Sequence, residues 1–387
     1  MEIDKIKFIV KNFYNNSKVL SVDKIDSGLI NKTYLIEHLL DGIKSRFILQ
    51  CISNIFESHE IVNFNHELIT NHIRGKIKNK DPNLYFERWK VPNLIRCQAN
   101  NLFIFSFDSG FWRAMEYIDD TFSYDNLEDT KMSYQTGIGL SKFHIICSDI
   151  NSSKLENSIK NFHNIKYYIK QYKVNLKNYN FLESNYDLNN RVQKLVSNLS
   201  NHVLYVESIL GYLNEKKIDN SVIHGDPKLS NFLFHVKYKY VVSLIDLDTV
   251  SSGFLLTDLA DCIRSICNLA GEDPENINDV FFDTNHCKCF LMGYFSIFNQ
   301  TGNYCFEYLS EFTYMTIIEL TIRFLNDFLL SNKYFKIKYR THNLYRAEVQ
   351  YRLLSSFVTQ LPIFSDLLHE VGFSSNQSFV SDVQKIV

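Results

Sequence analysis

The spacing of apolar and polar residues divides the chain into a strand-rich first third and a helix-rich remainder. Apolar side chains recur at helical spacing over residues 3–14 and again over residues 57–77. Short apolar runs bounded by turn residues predict five strands, at residues 19–25, 33–39, 46–52, 102–107 and 112–118. Asp41 and Gly42 separate the second strand from the third and are a strong signal for a two-residue hairpin turn.

After residue 118 the apolar spacing becomes mainly helical. It predicts helices at residues 131–146, 188–215 and 316–330 and short strands at residues 232–234 and 241–245. Strands followed by helices indicate an α+β chain. We therefore expect a bilobal fold with a cleft between a β-rich N-terminal lobe, residues 1–118, and a mainly helical C-terminal lobe, residues 119–387.

Size, charge and cysteine usage narrow the class of protein. The chain has 387 residues, of which 45% are hydrophobic, so it can bury a large core. Because 41 Lys and Arg residues nearly balance 43 Asp and Glu residues, no global charge favours nucleic acid or an anionic membrane as a partner. The sequence has no apolar stretch long enough to span a membrane. Eight cysteines, mostly single and among apolar residues, are typical of a reducing compartment and predict a cytoplasmic location.

The stretch from residue 222 to residue 250 carries the clearest chemistry. Asp226 follows an apolar run and a His-Gly pair, Asn231 stands five residues further on, and Asp246 ends the next apolar run. Phosphoryl transfer needs an oriented acceptor hydroxyl and a divalent cation beside the triphosphate. Asp226 could accept the hydroxyl proton, while the oxygens of Asn231 and Asp246 suit Mg²⁺. Alternatively, each carboxylate only caps a turn or ends a strand, but the three residues together favour a phosphotransferase.

These residues resemble a known signature. His-Gly-Asp-x-x-x-x-Asn followed by Ile-Asp is similar to the pattern of the aminoglycoside phosphotransferase and choline kinase superfamily, whose fold is like that of protein kinases. Within it, the chain resembles the N-acetylhexosamine 1-kinase branch. The segments that carry this second resemblance are residues 27–34, 47–50, 120–125, 245–250, 322–325, 334–336 and 342–346. The resemblance implies transfer of the γ-phosphoryl group of ATP to the anomeric hydroxyl of an N-acetylhexosamine, with Asp226 as base and Asn231 and Asp246 as Mg²⁺ ligands.

Two other functions stay open. The acceptor could be another alcohol, such as an aminoglycoside, choline or a homoserine-like compound, because residues 272–283 include an acidic stretch. The chain could also bind a nucleotide without turnover, because Gln50 stands where a phosphate-binding lysine is expected. A protein kinase is disfavoured, since His-Gly-Asp and Asp-Leu-Asp replace the expected His-Arg-Asp and Asp-Phe-Gly.

Nucleotide has to be held from the strand-rich lobe. The turn between the first two strands, with Gly28, Asn31 and Thr33, is the candidate cover for the phosphates, although the same residues would also suit a plain hairpin. The strand at 112–118 leads into the helical lobe. We therefore expect main-chain groups near Glu116 and Ile118 to contact adenine, the alternative being an ordinary strand end.

Gln50 departs from the pattern that the resemblance implies. A glutamine can donate a hydrogen bond to a phosphate oxygen but brings no charge. We expect Lys32 or Arg46 to supply that charge. Glu67, in the middle of the following helix, is expected to orient Gln50 or a nearby cation, unless it is an ordinary solvated glutamate.

The acceptor side is expected on the helix at residues 316–330. Glu319, Arg323 and Asp327 recur every four residues and could form a row of ion pairs on one face. We expect Arg323 to point into the cleft and contact the acceptor, and Tyr334 to cover an apolar sugar face, because the branch resemblance centres on these two residues. Asp258 is expected to be structural, either capping a helix or accepting hydrogen bonds from the catalytic loop.

Overall fold

The computed structural model describes residues 2–25, 30–79, 88–179 and 186–386. Its N-terminal part is an antiparallel sheet with flanking helices, and its C-terminal part is mainly helical, which confirms the predicted α+β class. Residue 118 remains our proposed boundary between the lobes, since it directly follows the last long strand of the sheet.

The N-terminal part alternates strands and helices as the pattern predicted. Its elements are α1 (Glu2–Phe13), β1 (Lys18–Ile25), β2 (Lys32–Leu40), β3 (Ile43–Ile52), α2 (His59–Lys78), β4 (Leu94–Ile95), β5 (Phe105–Phe107) and β6 (Gly110–Glu116). The antiparallel sheet has the order β1-β2-β3-β6-β4, and β5 pairs with β6. Asp41 and Gly42 both have positive φ, 52° and 82°, as the predicted two-residue hairpin turn requires.

A separate small core holds α1 on the outer face of this sheet. Ile6, Ile9 and Phe13 of α1 are buried against sheet residues that include Phe47 and Trp112. The sheet thus has one face covered by α1 and keeps the other face for the rest of the molecule. This second face carries Gln50 and Arg113, whose side chains reach the cleft.

The C-terminal part contains eight α-helices and three short strand pairings in the described residues. Its elements are β7 (Thr121–Phe122), α3 (Thr130–Cys147), α4 (Ile165–Asn178), α5 (Tyr186–Leu213), β8 (Ser221–Ile223), β9 (Phe232–His235), β10 (Val241–Leu244), β11 (Ser251–Gly253), α6 (Leu255–Ile266), α7 (Thr284–Phe295), α8 (Leu309–Leu329), α9 (His342–Glu370) and α10 (Gln377–Gln384). The strand pairings are antiparallel: β9 lies between β7 and β10, and β8 pairs with β11. Across the described ranges, no helix combines the length and apolarity that crossing a bilayer requires.

The observed elements differ from the predicted ones in several places, of which α4 and β5 are two. Helix α4 was not predicted, because it buries only Ile165, Ile169 and Tyr172 and presents lysines along much of its length. Strand β5 covers only the end of the predicted run at 102–107, because the chain turns at Asn101, whose φ is 59°. Neither difference changes which elements surround the cleft.

Candidate active site

Two short strand pairings bring the predicted catalytic residues together. β8 ends just before His224, and β10 ends just before Asp246, so both acidic segments start from buried strands. Asn231 Nδ2 donates to the main-chain oxygen of Asp226 at 2.8 Å and lies 3.4 Å from Asp226 Oδ2. Asp226, Asn231 and Asp246 all line one cleft of about 470 Å³. The structure therefore places the three residues of the motif at one site.

Gly225 allows the loop to turn where a side chain would not fit. Its φ is +84°, and a Cβ atom there would lie 2.6 Å from the main-chain oxygen of Thr249. The hydroxyl of Thr249 donates to His224 O at 3.0 Å, and His224 Nε2 donates to Ile245 O at 2.9 Å. These contacts join the loop that carries Asp226 to the segment that carries Asp246.

Asp258, at the start of α6, supports the loop from below, as predicted. Its carboxylate accepts hydrogen bonds from His224 N at 2.6 Å, Gly225 N at 2.8 Å and His144 Nε2 at 3.0 Å. Burial alone would raise the pKa of Asp258, but the hydrogen bond from His144 and the neighbouring donors lower it below its ordinary value. The carboxylate stays ionised and fixes the loop backbone.

Lys228 is a site residue that the sequence analysis missed. Its Nζ lies 2.7 Å from Asp226 Oδ2. Burial would raise the pKa of Asp226, but the charge and hydrogen bond of Lys228 bring it below its ordinary value. A cation two residues after the candidate base was the available signal. Asp226 is consequently ionised and able to accept a proton.

Asp246 and Asn231 offer free oxygens to the cleft. In the described parts of the chain, the Asp246 carboxylate makes no hydrogen bond or ion pair, while its backbone is in the left-handed region with φ 65°. Burial and the neighbouring carboxylate of Asp248 raise the pKa of Asp246 to about 7. Asn231 uses its Nδ2 group for Asp226, which leaves its Oδ1 atom as an acceptor. A carboxylate without a partner and an amide oxygen are a donor set that fits Mg²⁺.

The nucleotide side contains most of the predicted residues. Asn31, Thr33 and Gln50 line the cleft, and Gln50 Nε2 donates to Thr33 Oγ1 at 3.0 Å. Asn31 Nδ2 donates to Asp248 Oδ2 at 2.8 Å, and Asn31 Oδ1 accepts from Ser53 N at 2.9 Å. Gly28 lies outside the described residues.

The prediction that Lys32 or Arg46 supplies the positive charge that Gln50 lacks was wrong. Lys32 is exposed and does not line the cleft, and Arg46 lies 2.5 Å from Asp119 and over the ring of Tyr117. Arg113 is the buried cation beside Gln50: its Nε and Nη2 atoms lie 3.1 and 2.7 Å from Gln50 Oε1. Sequence spacing gave no sign of this, because the contact depends on the pairing of β3 with β6.

The structure does not bring Glu67 to Gln50. The side chain of Glu67 is partly exposed and lies 3.7 Å from Arg96, away from the cleft. Asn63, one turn earlier on α2, is buried and accepts a weak hydrogen bond from Arg113 Nη1 at 3.4 Å. Asn63, and not Glu67, is therefore the residue of α2 that contacts the group beside Gln50.

The segment after β6 reaches the cleft as expected. Glu116, Tyr117 and Ile118 line it. Glu116 N donates to Asn93 O at 2.9 Å, and Ile118 O accepts from the hydroxyl of Thr121 at 2.6 Å. Contact of these residues with adenine stays a prediction.

Across the cleft from the nucleotide side, Arg323 lies in a ring of aromatic side chains. We call this part of the cleft, lined by Glu319, Arg323 and Phe335, the acceptor wall, because the acceptor is predicted to bind there. Its guanidinium carbon is 5.0 to 5.9 Å from the ring centres of Phe162, Tyr168, Phe335 and Tyr334. Arg323 lines the cleft, whereas Tyr334 lies behind it as one of these rings. The predicted cleft position of Arg323 agrees with the structure. The prediction that Tyr334 covers the sugar is wrong, because Tyr334 does not line the cleft and packs against Arg323 instead.

Asp327 does not continue the predicted row of ion pairs. Arg323 Nη1 is 3.8 Å from Glu319 Oε1, but Asp327 is buried and accepts from the main-chain N–H groups of residues 333, 334 and 335 at 2.8 to 2.9 Å. Asn343 Nδ2 also donates to Asp327 at 2.9 Å. Because its oxygens hold this turn, Asp327 fixes Phe335 and Tyr334 beside Arg323.

His163 connects the acceptor wall to the catalytic loop, and sequence analysis did not find it. Its Nε2 donates to Gly225 O at 2.6 Å, and its Nδ1 lies 3.4 Å from Glu319 Oε1. Burial lowers the pKa of His163, but the hydrogen bond and charge of Glu319 raise it above its ordinary value. The ring thus joins Glu319, and through it Arg323, to the loop that carries Asp226.

Comparison with known proteins agrees with this geometry. Residues 182–281 match the model of the phosphotransferase enzyme family. Similar structures include an aminoglycoside phosphotransferase from Alicyclobacillus acidocaldarius, with 11% identity and a TM-score of 0.58 over 92% of this chain and 96% of that chain. A choline kinase from Cryptosporidium parvum has 14% identity and a TM-score of 0.57 over 95% and 98%. Spectinomycin phosphotransferase in complex with ADP and spectinomycin has 13% identity and a TM-score of 0.58 over 92% and 96%.

The structural likeness confirms the predicted protein-kinase-like fold. The segment that matches the family model contains Asp226, Asn231 and Asp246, which converge in the cleft. The family-model match and the fold together indicate a small-molecule phosphotransferase. The fold is similar to that of an aminoglycoside phosphotransferase and of a choline kinase.

Proposed function

We propose that this kinase phosphorylates a neutral sugar, and specifically the anomeric hydroxyl of an N-acetylhexosamine, with ATP and Mg²⁺. The convergence of Asp226, Asn231 and Asp246 in a cleft that Arg323 also lines is the observation that carries the proposal. The choice of sugar rests on the sequence resemblance around Arg323 and Tyr334 and on the charges of the acceptor wall.

In this proposal Asp226 accepts the proton of the acceptor hydroxyl. Lys228 keeps Asp226 ionised and places a positive charge beside the phosphoryl group in transfer. Asn231 and Asp246 would hold Mg²⁺, which supplies charge neutralisation for the triphosphate. Asp258 and Gly225 hold the loop rigid, and a rigid loop keeps the base in line with the hydroxyl.

The N-terminal lobe would hold the nucleotide. Adenine would lie against the segment from Glu116 to Ile118, where main-chain groups border the cleft. Thr33 and Gln50 would face the phosphates, and we predict the same of Gly28, which lies outside the described residues. This places the γ-phosphoryl group next to Asp226, on the same side as the metal ligands.

The charges of the acceptor wall support a neutral acceptor. Residues of the acidic stretch are already paired within the protein: Glu272 lies 3.0 Å from Arg264, and Asp273 lies 2.7 Å from Arg346. Asp283 caps α7 through two main-chain N–H groups. Because each of these carboxylates already has a partner within the protein, they are less available to a cationic acceptor such as choline or an aminoglycoside. Phe162 and Phe335, the two rings around Arg323 that line the cleft, suit the apolar face of a sugar.

ATP consumption with a panel of acceptors tests the proposal. The panel contains N-acetylated hexosamines, their non-acetylated parents, choline, ethanolamine and an aminoglycoside, and ³¹P NMR identifies the phosphorylated carbon. We expect turnover with an N-acetylhexosamine and a loss of about 10³-fold in kcat for Asp226→Asn. Asp366→Asn, on the exposed face of α9, is the matched control and should keep wild-type turnover.

The outcomes separate the alternatives. Preferred turnover with an amine would replace the sugar by a cationic acceptor and contradict the proposal. ATP binding without turnover for every acceptor would instead support a nucleotide-binding protein. Phosphorylation at a carbon other than the anomeric one would keep the sugar but overturn the assigned position.

A further inference from the structure

Arg113 places a positive charge beside Gln50, which stands where a lysine is expected. Kinases of this shape pair a lysine of the third strand with a glutamate of the following helix. In the described part of this chain, β3 has Gln50 at the cleft and α2 directs Glu67 toward Arg96. Neither member of the usual pair is therefore in place.

The register of the sheet supplies a substitute. Arg113 stands directly opposite Gln50 in the pairing of β3 with β6. Its Nη2 atom lies 2.5 Å from Asp248 Oδ1 as well as 2.7 Å from Gln50 Oε1. The side chains of Arg113 and Asp248 are 1% and 3% exposed, and both residues border the cleft. Guanidinium groups remain charged when buried, so this is a fixed ion pair at the nucleotide side.

We propose that the Arg113–Asp248 ion pair replaces the usual lysine–glutamate pair and that Arg113 is a positioning residue for the nucleotide phosphates. Its members come from opposite lobes, Arg113 from β6 and Asp248 from the turn after Asp246. This inference deepens the proposed function and rests on it.

The surrounding contacts show how the ion pair acts. Asn31 donates to Asp248 at 2.8 Å and accepts from Ser53 N, so the end of the candidate phosphate-covering turn is tied to the same carboxylate. Arg113 uses four of its five N–H groups on Gln50, Asp248 and Asn63, and the fifth, on Nη1, has no acceptor among the described residues. Phosphate oxygens attract such a charged donor strongly, whereas adenosine does not.

Nucleotide affinity tests the inference without an acceptor. Isothermal titration calorimetry is carried out with ATP and with AMP, both with magnesium, on the full chain. We expect Arg113→Met to weaken ATP binding by about 10- to 100-fold and AMP binding by less than about threefold. Arg113→Lys keeps the charge and should retain most of the preference for ATP. Equal weakening of both nucleotides, or unchanged ATP affinity, would overturn the inference.

A second set of variants keeps the test valid if Arg113→Met does not fold. That variant leaves Asp248 buried without its partner, which is destabilising. Arg113→Met/Asp248→Asn removes both charges, and we expect it to fold and still to have lost the preference for ATP. Adding Gln50→Lys to it returns a cation to β3 and should restore ATP affinity by about tenfold. No gain from the lysine would contradict the assigned role.

The test separates this inference from the proposed function. The acceptor panel measures turnover of the wild-type chain, whereas calorimetry measures nucleotide affinity without an acceptor, so the two can fail separately. A wild-type chain without turnover for any acceptor, with a preference for ATP that depends on Arg113, would refute the sugar kinase and leave this inference standing. A preference for ATP that does not depend on Arg113 would overturn the inference whatever the acceptor.

Discussion

The catalytic loop and the contacts that support it are encoded at different distances along the chain. Within the loop, Asn231 bonds Asp226, which is five positions away, and His224 bonds Ile245, which is 21 positions away. The supporting contacts are far longer: Asn31 and Asp248 are 217 positions apart, and Arg113 and Asp248 are 135 apart. Candidate catalytic residues that lie within one strand-loop-strand segment can be recognised as a sequence motif. The contacts that support them form only when the two lobes pack together.

Asp246→Ala should give the largest difference between its effect on activity and its effect on stability. The side chain makes no hydrogen bond with the described residues, so its loss should change the free energy of unfolding by less than about 1 kcal/mol. Activity should fall by about 10³-fold or more, because a metal ligand contributes several kcal/mol to transition-state stabilisation. Urea unfolding and ATP turnover measure the two effects. Full turnover in this variant would remove Asp246 from the metal site.

Asp258→Ala should mainly reduce stability, in contrast to Asp246→Ala. It leaves the N–H groups of His224 and Gly225 buried without an acceptor. We expect a loss of about 3 kcal/mol in the free energy of unfolding, since each buried unsatisfied donor costs about 1–3 kcal/mol. Asp366→Ala, an exposed aspartate on α9, is the control and should unfold like the wild type. A variant as stable as this control would show that Asp258 does not hold the loop.

The same difference explains what the sequence could predict. The hairpin at Asp41 and Gly42, the main strands and helices, and the triad of Asp226, Asn231 and Asp246 follow from local patterns, and the structure places all of them as expected. Their roles in catalysis remain to be tested by the variants.

The supporting residues depend on information that local patterns lack. Arg113 becomes the partner of Gln50 only through strand register, and Glu67 lies beside Arg96 because the buried face of α2 carries Asn63, His66 and Ile69 instead. His163 follows a loop that carries no motif, yet it joins Gly225 to Glu319. Asp327 shares helical spacing with Arg323 but bonds the turn at 333–335, which spacing along α8 does not reveal. Tertiary packing decided each case.

Gly225→Ala tests whether the loop itself also contributes to stability. Its φ of +84° and the main-chain oxygen 2.6 Å from the added Cβ both oppose a side chain, so we expect a loss of about 2 kcal/mol together with reduced turnover. Gly211→Ala is the matched control, because that glycine lies in α5 with open space around it and should gain up to about 1 kcal/mol. Thermal unfolding compares the two. Equal stability would mean that the loop backbone adapts to the side chain.

Arg323→Ala probes the acceptor wall, where the sequence analysis predicted the cleft position of Arg323 but not the aromatic rings around it. Removal of the charge should raise the acceptor KM by about tenfold, corresponding to about 1.4 kcal/mol, and leave the ATP KM nearly unchanged. Arg340→Ala, an exposed arginine after α8, should leave both constants at wild-type values. An equal rise in both KM values would place Arg323 outside the acceptor site.

The smallest expected effect is the pH dependence that His163 adds to stability. Its pKa in the folded chain lies above the ordinary value of 6.5, because Glu319 outweighs burial. A group with a raised folded pKa stabilises the fold fully below its unfolded pKa and loses that contribution as the pH rises through the folded pKa. The free energy of unfolding of the wild type should therefore fall, relative to that of His163→Gln, as the pH rises above 6.5, with a slope of at most about 1.4 kcal/mol per pH unit. Urea unfolding across this range measures the difference, with His369→Gln, an exposed histidine of α9, as the control that should keep the wild-type slope. A slope that His163→Gln does not change would mean that the contact between Glu319 and His163 is not an ion pair, and the catalytic loop would then be tied to the acceptor wall by the neutral hydrogen bond to Gly225 alone.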